Sequence, residues 1–207
     1  MRTRSAVGAG WLAAILTGGP AVLHAQRAAT YLISPHSRFE VATTKSGFFS
    51  FVGHEHMIRA RSVSGHVVYD RADPARSSVE IVVQTESLEV MTPPDTAEIR
   101  KVTAAMRTDV LDVAHFSEIR FVSRAVAPIA GGLRVRGDLV LVGQTREVSV
   151  DVHVDAGADS LRATGTFAVD QSSFGIRPYH GGPGGLVRVA DRVTFRFEAV
   201  ALRSSAP

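Results

Sequence analysis

The fold is decided most clearly by residues 133–154, which read Leu-Arg-Val-Arg-Gly-Asp-Leu-Val-Leu-Val-Gly-Gln-Thr-Arg-Glu-Val-Ser-Val-Asp-Val-His-Val. Apolar residues alternate with polar ones on both sides of Val142-Gly143-Gln144-Thr145, a sequence typical of a short hairpin turn. Successive side chains of a strand point to opposite faces, so each half predicts a strand with one apolar and one polar face. The stretch therefore predicts an antiparallel hairpin.

The same period of two recurs along most of the chain from Tyr31 onward. It is clearest in four further segments: Val79–Val83, Glu118–Val122, Leu161–Val169 and Arg192–Glu198. Short apolar stretches at Phe39–Val41 and Gly65–Tyr69 add to these strands, and glycine-containing turns separate several of them. Strands with one solvated face close on themselves or pair as a sandwich, because open edges invite aggregation. We therefore predict an all-β, antiparallel fold of about eight strands.

One segment departs from this period. After Pro93-Pro94, Asp95 is suited to cap a helix, and Glu98 stands at the capping-box position. Apolar residues then recur at helical spacing, at Ile99, Val102, Met106 and Val110. The pattern predicts one helix from about residue 97 to 107 in a crossover, either as a structural connection or as a lid.

Residues 47–58 combine an aromatic run with a pair of histidines. Phe49 and Phe51 share one face of an extended strand, and His54 and His56 share the other unless Gly53 marks a bulge. Such a stretch fits a pocket with an apolar body and a polar mouth. The alternative is that the phenylalanines are sheet core and the histidines lie in a solvated loop.

The N-terminus has the features of a secretory signal peptide. Arg2 and Arg4 precede an uncharged apolar stretch, and Ala25 offers a cleavage site before Gln26. We expect residues 1–25 to be removed and residues 26–207 to form a single domain that is periplasmic or secreted. The apolar stretch is too short to span a bilayer, so no stable membrane insertion is expected after cleavage. The chain has no cysteine, which excludes a disulfide framework and a lipid-anchored N-terminal cysteine.

The charge balance argues against nucleic acid as a partner. The formal charge of +3 falls by two when Arg2 and Arg4 are removed with the signal peptide. No basic run interleaved with aromatic residues is present, which is the pattern of nucleic-acid binders. A homodimer is compatible with the sequence.

Five motifs together resemble those of the YceI-like family in order and spacing: Tyr31–Ser37, Val63–Val67, Phe116–Ser123, Gly137–Arg146 and Ser173–Ile176. The resemblance covers essentially the whole chain after the signal peptide. It implies an extended, lipocalin-like antiparallel barrel that holds a long isoprenoid chain. It adds no cofactor other than a bound isoprenoid or quinone lipid.

On this basis we predict an exported carrier or sequestering protein with an apolar lipid ligand inside the barrel. The inward wall is predicted to consist of Phe49, Phe51, Ile81, Val83, Ile119, Phe121, Leu139, Leu141, Val150, Phe167, Phe174, Phe195 and Phe197. We expect a polar rim at one end, able to bind the ligand's head group, from four residues: His54, His56, Tyr179 and His180. Unperturbed histidines titrate near pH 6.5, so head-group affinity would change in that range.

Two other functions remain as alternatives. The first is a solid-cored stress or interaction module of the cell envelope, which needs no cavity. The second, a minor alternative, is a metal-dependent activity that uses His54, His56 and His180 as ligands. No catalytic residues are assigned, because the chain has no Gly-x-Ser-x-Gly motif and no cysteine nucleophile. The glycine-rich segment 181–185 lacks the Lys-Ser/Thr of a phosphate-binding loop.

Overall fold

The computed structural model describes residues 28–45, 56–91, 96–181 and 187–204. The described strands are β1 (Ala29–Ile33), β2 (Arg38–Lys45), β3 (His56–Ala60), β4 (Val63–Tyr69), β5 (Ser78–Gln84), β6 (Leu88–Val90), β7 (Glu118–Ile129), β8 (Gly132–Leu141), β9 (Gln144–Ala156), β10 (Ser160–Asp170), β11 (His180–Gly181) and β12 (Val187–Arg203). Helix α1 (Thr96–Ala105) continues into a π-helical turn (Met106–Val110). Short 3-10 turns lie at Pro74–Arg76, Thr85–Ser87 and Gln171–Phe174.

Eight strands pair in a closed antiparallel ring. The order around the ring is β1, β4, β5, β7, β8, β9, β10 and β12, and β12 pairs again with β1. Closure leaves no free edge in this part of the sheet, which removes the usual site of aggregation. The predicted all-β, antiparallel barrel of about eight strands is therefore confirmed.

Three further strands lengthen one side of the barrel. β2 continues β1, β3 leads into β4, and β6 continues β5. In this extension β2 pairs with β12, β3 with β2, and β6 with β3. Each pair of strands is thus one long strand with an interruption. The extension lies at the end of the barrel that carries α1, because α1 follows β6 in the chain and packs against it.

Helix α1 lies against the extended side at this end. Ile99 and Val102 pack against a buried cluster that includes Met106 and Leu111. One guanidinium nitrogen of Arg107 donates hydrogen bonds to the carbonyl oxygens of Glu86 (2.6 Å) and Leu88 (3.3 Å), which ties the π-helical turn to the sheet. The predicted helix over 97–107 is confirmed. Its predicted cap, Asp95, and the side chain of its capping-box partner, Glu98, lie outside the described part of the structure.

The outer wall carries cross-strand ion pairs. Arg134 of β8 donates to both carboxylate oxygens of Asp151 on β9, at 2.6 and 2.8 Å. Further pairs join Arg120 to Glu80, Arg124 to Asp138, Arg59 to Glu40 and Arg162 to Glu198. These residues occupy the polar positions of the alternating strands, so the apolar positions point inward. Within the described ranges, no helix combines the length and apolar character needed to cross a bilayer.

Candidate ligand-binding lumen

The ring of strands encloses a cavity of about 190 Å³ with a mostly apolar lining. Nine residues of the predicted inward wall line it: Ile81, Val83, Ile119, Phe121, Leu139, Val150, Phe167, Phe195 and Phe197. They come from six strands of the ring, so the cavity is central rather than a cleft between two elements. The alternating pattern thus brings together side chains that are far apart in the sequence.

Two described residues of the predicted wall do not line the cavity. Leu141 and Phe174 are buried, with 4% and 1% of their surface exposed, but they pack in the cluster at the helix end and do not line the cavity. They are core residues that share this cluster with Met106, Leu111 and Ile176. Phe49 and Phe51 lie outside the described residues.

The prediction also omitted several lining residues. They share the inward positions of the same strands and are mostly aliphatic or small: Ile33, Phe39, Val67, Tyr69, Val79, Val126, Leu133, Val135, Val152, Val154, Leu161, Ala163, Ala199 and Ala201. The signal for them was present, because most belong to the alternating runs that predicted the strands. The prediction named only some inward positions of each run, so it omitted large residues such as Phe39 as well as small ones such as Ala201.

Aromatic side chains narrow the lumen at two successive levels of β12. Phe197 stacks on Phe39 of β2, with ring centroids 5.9 Å apart and planes at 15°. Phe195 stacks on Phe167 of β10, with centroids 4.8 Å apart and planes at 9°. The next two inward positions of β12 are Ala199 and Ala201. The inward side chains of β12 therefore change from large aromatic rings to small methyl groups along the strand.

Two inward-facing glycines accommodate phenyl rings against the wall. An ideal Cβ on Gly137 would lie 2.6 Å from Cζ of Phe121, and one on Gly165 would lie 2.6 Å from Cζ of Phe197. Real Cβ atoms do not approach a ring carbon this closely. The rings thus occupy the volume that side chains on these strands would fill, which keeps them out of the centre of the lumen.

A packed cluster closes the helix end below α1. Met106, Leu111, Phe174 and Ile176 are all buried there, together with Leu88 and Val90 of the extended side. None of them lines the cavity. The cavity therefore ends beneath this cluster.

The predicted rim is only partly described, and its described members do not meet. His56 begins β3 and its carbonyl accepts a hydrogen bond from Thr43 Oγ1 at 3.4 Å. Tyr179 is 37% exposed, and His180 is exposed on β11. β12 and β2 lie between β11 and β3, so three strand spacings, about 14 Å, separate the two histidine strands. None of these three residues lines the cavity, and His54 lies outside the described ranges.

This arrangement bears on the minor metal alternative. A shared metal would need the ligating ring nitrogens of His56 and His180 within about 4 Å of each other. Across the described parts of the chain, no three His, Cys, Asp or Glu side chains form a group that could hold a metal ion. A metal site is therefore not assembled by the described candidates.

An eight-stranded antiparallel barrel around an apolar cavity defines a lipocalin-like class of protein. Residues 32–201 match the YceI-like domain, and the chain belongs to that family. A UPF0312 protein of Vibrio cholerae is 30% identical over 186 residues, covering 85% of this chain and 89% of the relative.

Two solved structures have the same fold. The BcnA protein of Burkholderia cenocepacia superimposes with a TM-score of 0.66 at 20% identity, covering 81% of this chain and 98% of BcnA. A polyisoprenoid-binding domain from Saccharophagus degradans, implicated in plant cell wall breakdown, superimposes with a TM-score of 0.58 at 13% identity. That match covers 86% of this chain and all of the domain.

Proposed function

We propose that this protein is an exported carrier or sequestering protein that holds the apolar chain of a lipid, such as an isoprenoid or a quinone tail, inside its barrel. The observation that carries this proposal is the apolar cavity of about 190 Å³ at the centre of the ring. A structure of the same fold is a polyisoprenoid-binding domain, which supports the class of ligand. The same cavity disfavours the solid-cored interaction module, which needs none.

The energetics favour an apolar chain. Burial contributes about 25 cal/mol per Å² of apolar surface, so a chain that buries roughly 400 Å² gains about 10 kcal/mol. Association costs several kcal/mol of lost translational and rotational freedom, which leaves a net favourable term. Most drug-sized sites measure roughly 300–1,000 Å³. The smaller cavity here therefore suits a slender chain, and a long one requires side-chain movement in the lumen.

The lining also favours binding over catalysis. Glu40 and Arg196 touch the cavity, but both occupy outward positions of their strands, and Glu40 is held by Arg59 at 2.6 Å. No acid–base pair thus points into the lumen from the described strands. Export, to the periplasm or the medium, rests on the features of residues 1–25.

The test is the content of protein purified without detergent from its own cell envelope. Native mass spectrometry and lipid extraction are expected to recover an isoprenoid, quinone or acyl lipid at near one per chain. The Ala199→Leu variant adds volume at a cavity-lining position and is expected to lose most of that lipid. Its matched control, Ala127→Leu, changes an exposed position of β7 and is expected to retain it. Recovery of no lipid with the unaltered protein would contradict the proposal.

A further inference from the structure

Strands β9 and β10 are bonded to each other over only part of their length. β10 pairs with β9 over Leu161–Gly165 alone, although it continues to Asp170 along β12. β9 continues back to Gln144 along β8. Among the described strands of the ring, every other neighbouring pair stays bonded to within two residues of a strand end. We call the unbonded part, between residues 144–151 of β9 and 166–170 of β10, the seam.

The seam lies at the level of the cavity. When the register of the bonded part is continued, Val150 of β9 stands opposite Phe167 of β10. Both residues line the cavity. At the next inward position toward α1, Val169 belongs to the packed cluster and Val148 packs against it. A space between the two strands would therefore join the outer surface to the lumen at Val150 and Phe167.

The Gln171–Phe174 turn covers the seam. It follows β10 directly and packs against both β9 and β10. Phe174 is only 1% exposed and belongs to the packed cluster that also contacts the inward residues of both strands. The seam is thus closed by side-chain packing instead of by a ladder of hydrogen bonds.

The turn is anchored on one side of the seam only. Gln171 Nε2 donates to the carbonyl oxygen of Ala190 in β12 at 2.9 Å. The amide and the hydroxyl of Ser172 donate to the Asp191 carboxylate, at 2.8 and 2.5 Å. None of the hydrogen bonds between described residues joins the turn to β9. Movement of β9 away from the turn therefore breaks apolar contacts alone, whereas parting any bonded pair of strands would leave backbone groups without partners.

From these observations we infer that the ligand's apolar chain enters and leaves the lumen sideways, between β9 and the Gln171–Phe174 turn. An incoming chain replaces the apolar contacts that the opening breaks. The packed cluster closes the α1 end of the cavity, so entry there would require the core to come apart. The inference rests on the proposed function and adds the route by which the ligand is exchanged.

The route is tested with two cross-linked forms of the full chain. Because the chain has no cysteine, a bismaleimide joins only cysteines that are introduced. The seam cross-link joins Ser149→Cys on β9 to Ala168→Cys on β10, positions that face each other when the register is continued. The control cross-link joins Ala72→Cys to Ala158→Cys at the end of the barrel away from α1, where a hydrogen bond from Arg71 connects the β4–β5 and β9–β10 connections. Intact mass verifies each product.

Exchange is measured by stopped-flow fluorescence with methyl cis-parinarate, a slender polyene ester whose emission rises in apolar surroundings. We expect the seam cross-link to slow both uptake and release at least 10-fold while Kd stays within 2-fold. The control cross-link is expected to leave both rates within 2-fold. Unchanged rates with the seam cross-link, or equal slowing by both cross-links, would overturn the inference while the proposed function stands. No rise in emission with the unaltered, delipidated chain would contradict the proposed function, and the inference with it.

A smaller side chain in the turn should have the opposite effect. Phe174→Leu is expected to raise the rates of uptake and release at least 3-fold with Kd unchanged, because it weakens the packing that closes the seam. The matched control, Leu111→Val, removes a similar volume from the same cluster outside the turn and is expected to change stability but neither rate. Equal acceleration by both variants would overturn the inference, since loosening of the whole cluster would then control exchange.

Discussion

The phenyl ring of Phe197 occupies the space into which a side chain at Gly165 would project, with its Cζ 2.6 Å from an ideal Cβ at that position. The two residues are directly paired across β10 and β12. On the other side of β9, the ring of Phe121 fills the space beside Gly137 in the same way, although Phe121 itself pairs with Leu139. The open lumen therefore depends on the absence of side chains at two positions as well as on the apolar side chains that surround it.

Gly165→Ala is expected to displace the Phe197 ring into the lumen and to weaken binding of an apolar chain at least 10-fold. The new methyl also comes within 3.1 Å of the Asp151 carbonyl oxygen, so a loss of about 1–3 kcal/mol in the free energy of unfolding accompanies it. Binding affinity is measured by titrating the protein with a spin-labelled lipid, the palmitic amide of 4-amino-TEMPO, and following the broadening of its amide NMR signals. Urea unfolding measures the change in stability. Adding Phe197→Leu should restore binding, because the smaller side chain clears the methyl.

The control for this substitution is Gly157→Ala in the β9–β10 connection, where a Cβ would meet its nearest neighbour, Ser160 O, at 3.4 Å. That is an ordinary contact, so neither binding nor stability should change. A folded Gly165→Ala protein that binds the probe as tightly as the unaltered chain would contradict this account of the lumen.

Ser37→Ala is expected to lower the free energy of unfolding by about 1–2 kcal/mol. Its hydroxyl donates to the Val200 carbonyl oxygen and accepts from the Val200 amide, both at 3.0 Å, where the chain between β1 and β2 departs from regular pairing with β12. Urea unfolding measures the loss. Ser64→Ala, at an exposed position of β4, is the control and should leave stability unchanged. Equal stability of both variants would show that the Ser37 bonds contribute nothing.

This interruption shows which part of the fold the sequence could predict. The period of two assigned the inward and outward faces correctly along β8, β9 and β10, because facing depends only on local backbone geometry. Four residues, 34–37, stand opposite only two residues of β12, 199 and 200. The alternating pattern does not indicate this mismatch. It depends on hydrogen bonds to a strand more than 160 residues away.

The candidate site was predictable to the same extent. Alternation indicates which side chains of a strand face inward, but not how high along the barrel they lie, so Leu141 at the end of β8 could not be distinguished from cavity-lining residues. Phe174 lies in a 3-10 turn, where alternation gives no information. The distance between His56 and His180 follows from the order of β11, β12, β2 and β3, which no local pattern reveals.

The carboxyl of Asp191 should make part of the protein's stability dependent on pH in the acid range. The side-chain hydrogen bond from Ser172 (2.5 Å), followed by that from the Ser172 amide (2.8 Å), lowers the pKa of Asp191 below its ordinary value. The pKa of Asp191 is lower in the folded state than in the unfolded state. The stabilisation that its carboxylate provides is therefore fully present at pH values above the unfolded-state pKa. It is lost as the pH falls through the folded pKa.

The unaltered chain should therefore be more stable than Asp191→Asn by a constant amount between pH 5 and 7. The difference should shrink below about pH 4. Urea unfolding midpoints from pH 2.5 to 7 measure it. In a Ser172→Ala background the pH dependence of the difference should become smaller, because the largest cause of the lowered pKa is removed. A difference that does not vary with pH in either background would contradict this assignment.

Processing of the N-terminus tests the proposed export. Expressed in a Gram-negative host, the full chain is expected to appear in the periplasm or the medium with Gln26 as its first residue. Intact mass and N-terminal sequencing measure this. Replacing Leu12 and Ile15 with Asp interrupts the apolar stretch and should leave the unprocessed chain in the cytoplasm. An unaltered chain that keeps Met1 and stays in the cytoplasm would contradict export.

The most direct test of the central claim is a crystal structure of protein purified without detergent from its own cell envelope. We expect one elongated stretch of electron density within the lumen, running past Ala199 toward Phe195, with no connection to the protein. A lumen filled by the protein's own side chains, with no such density, would contradict the claim that this barrel holds an apolar ligand.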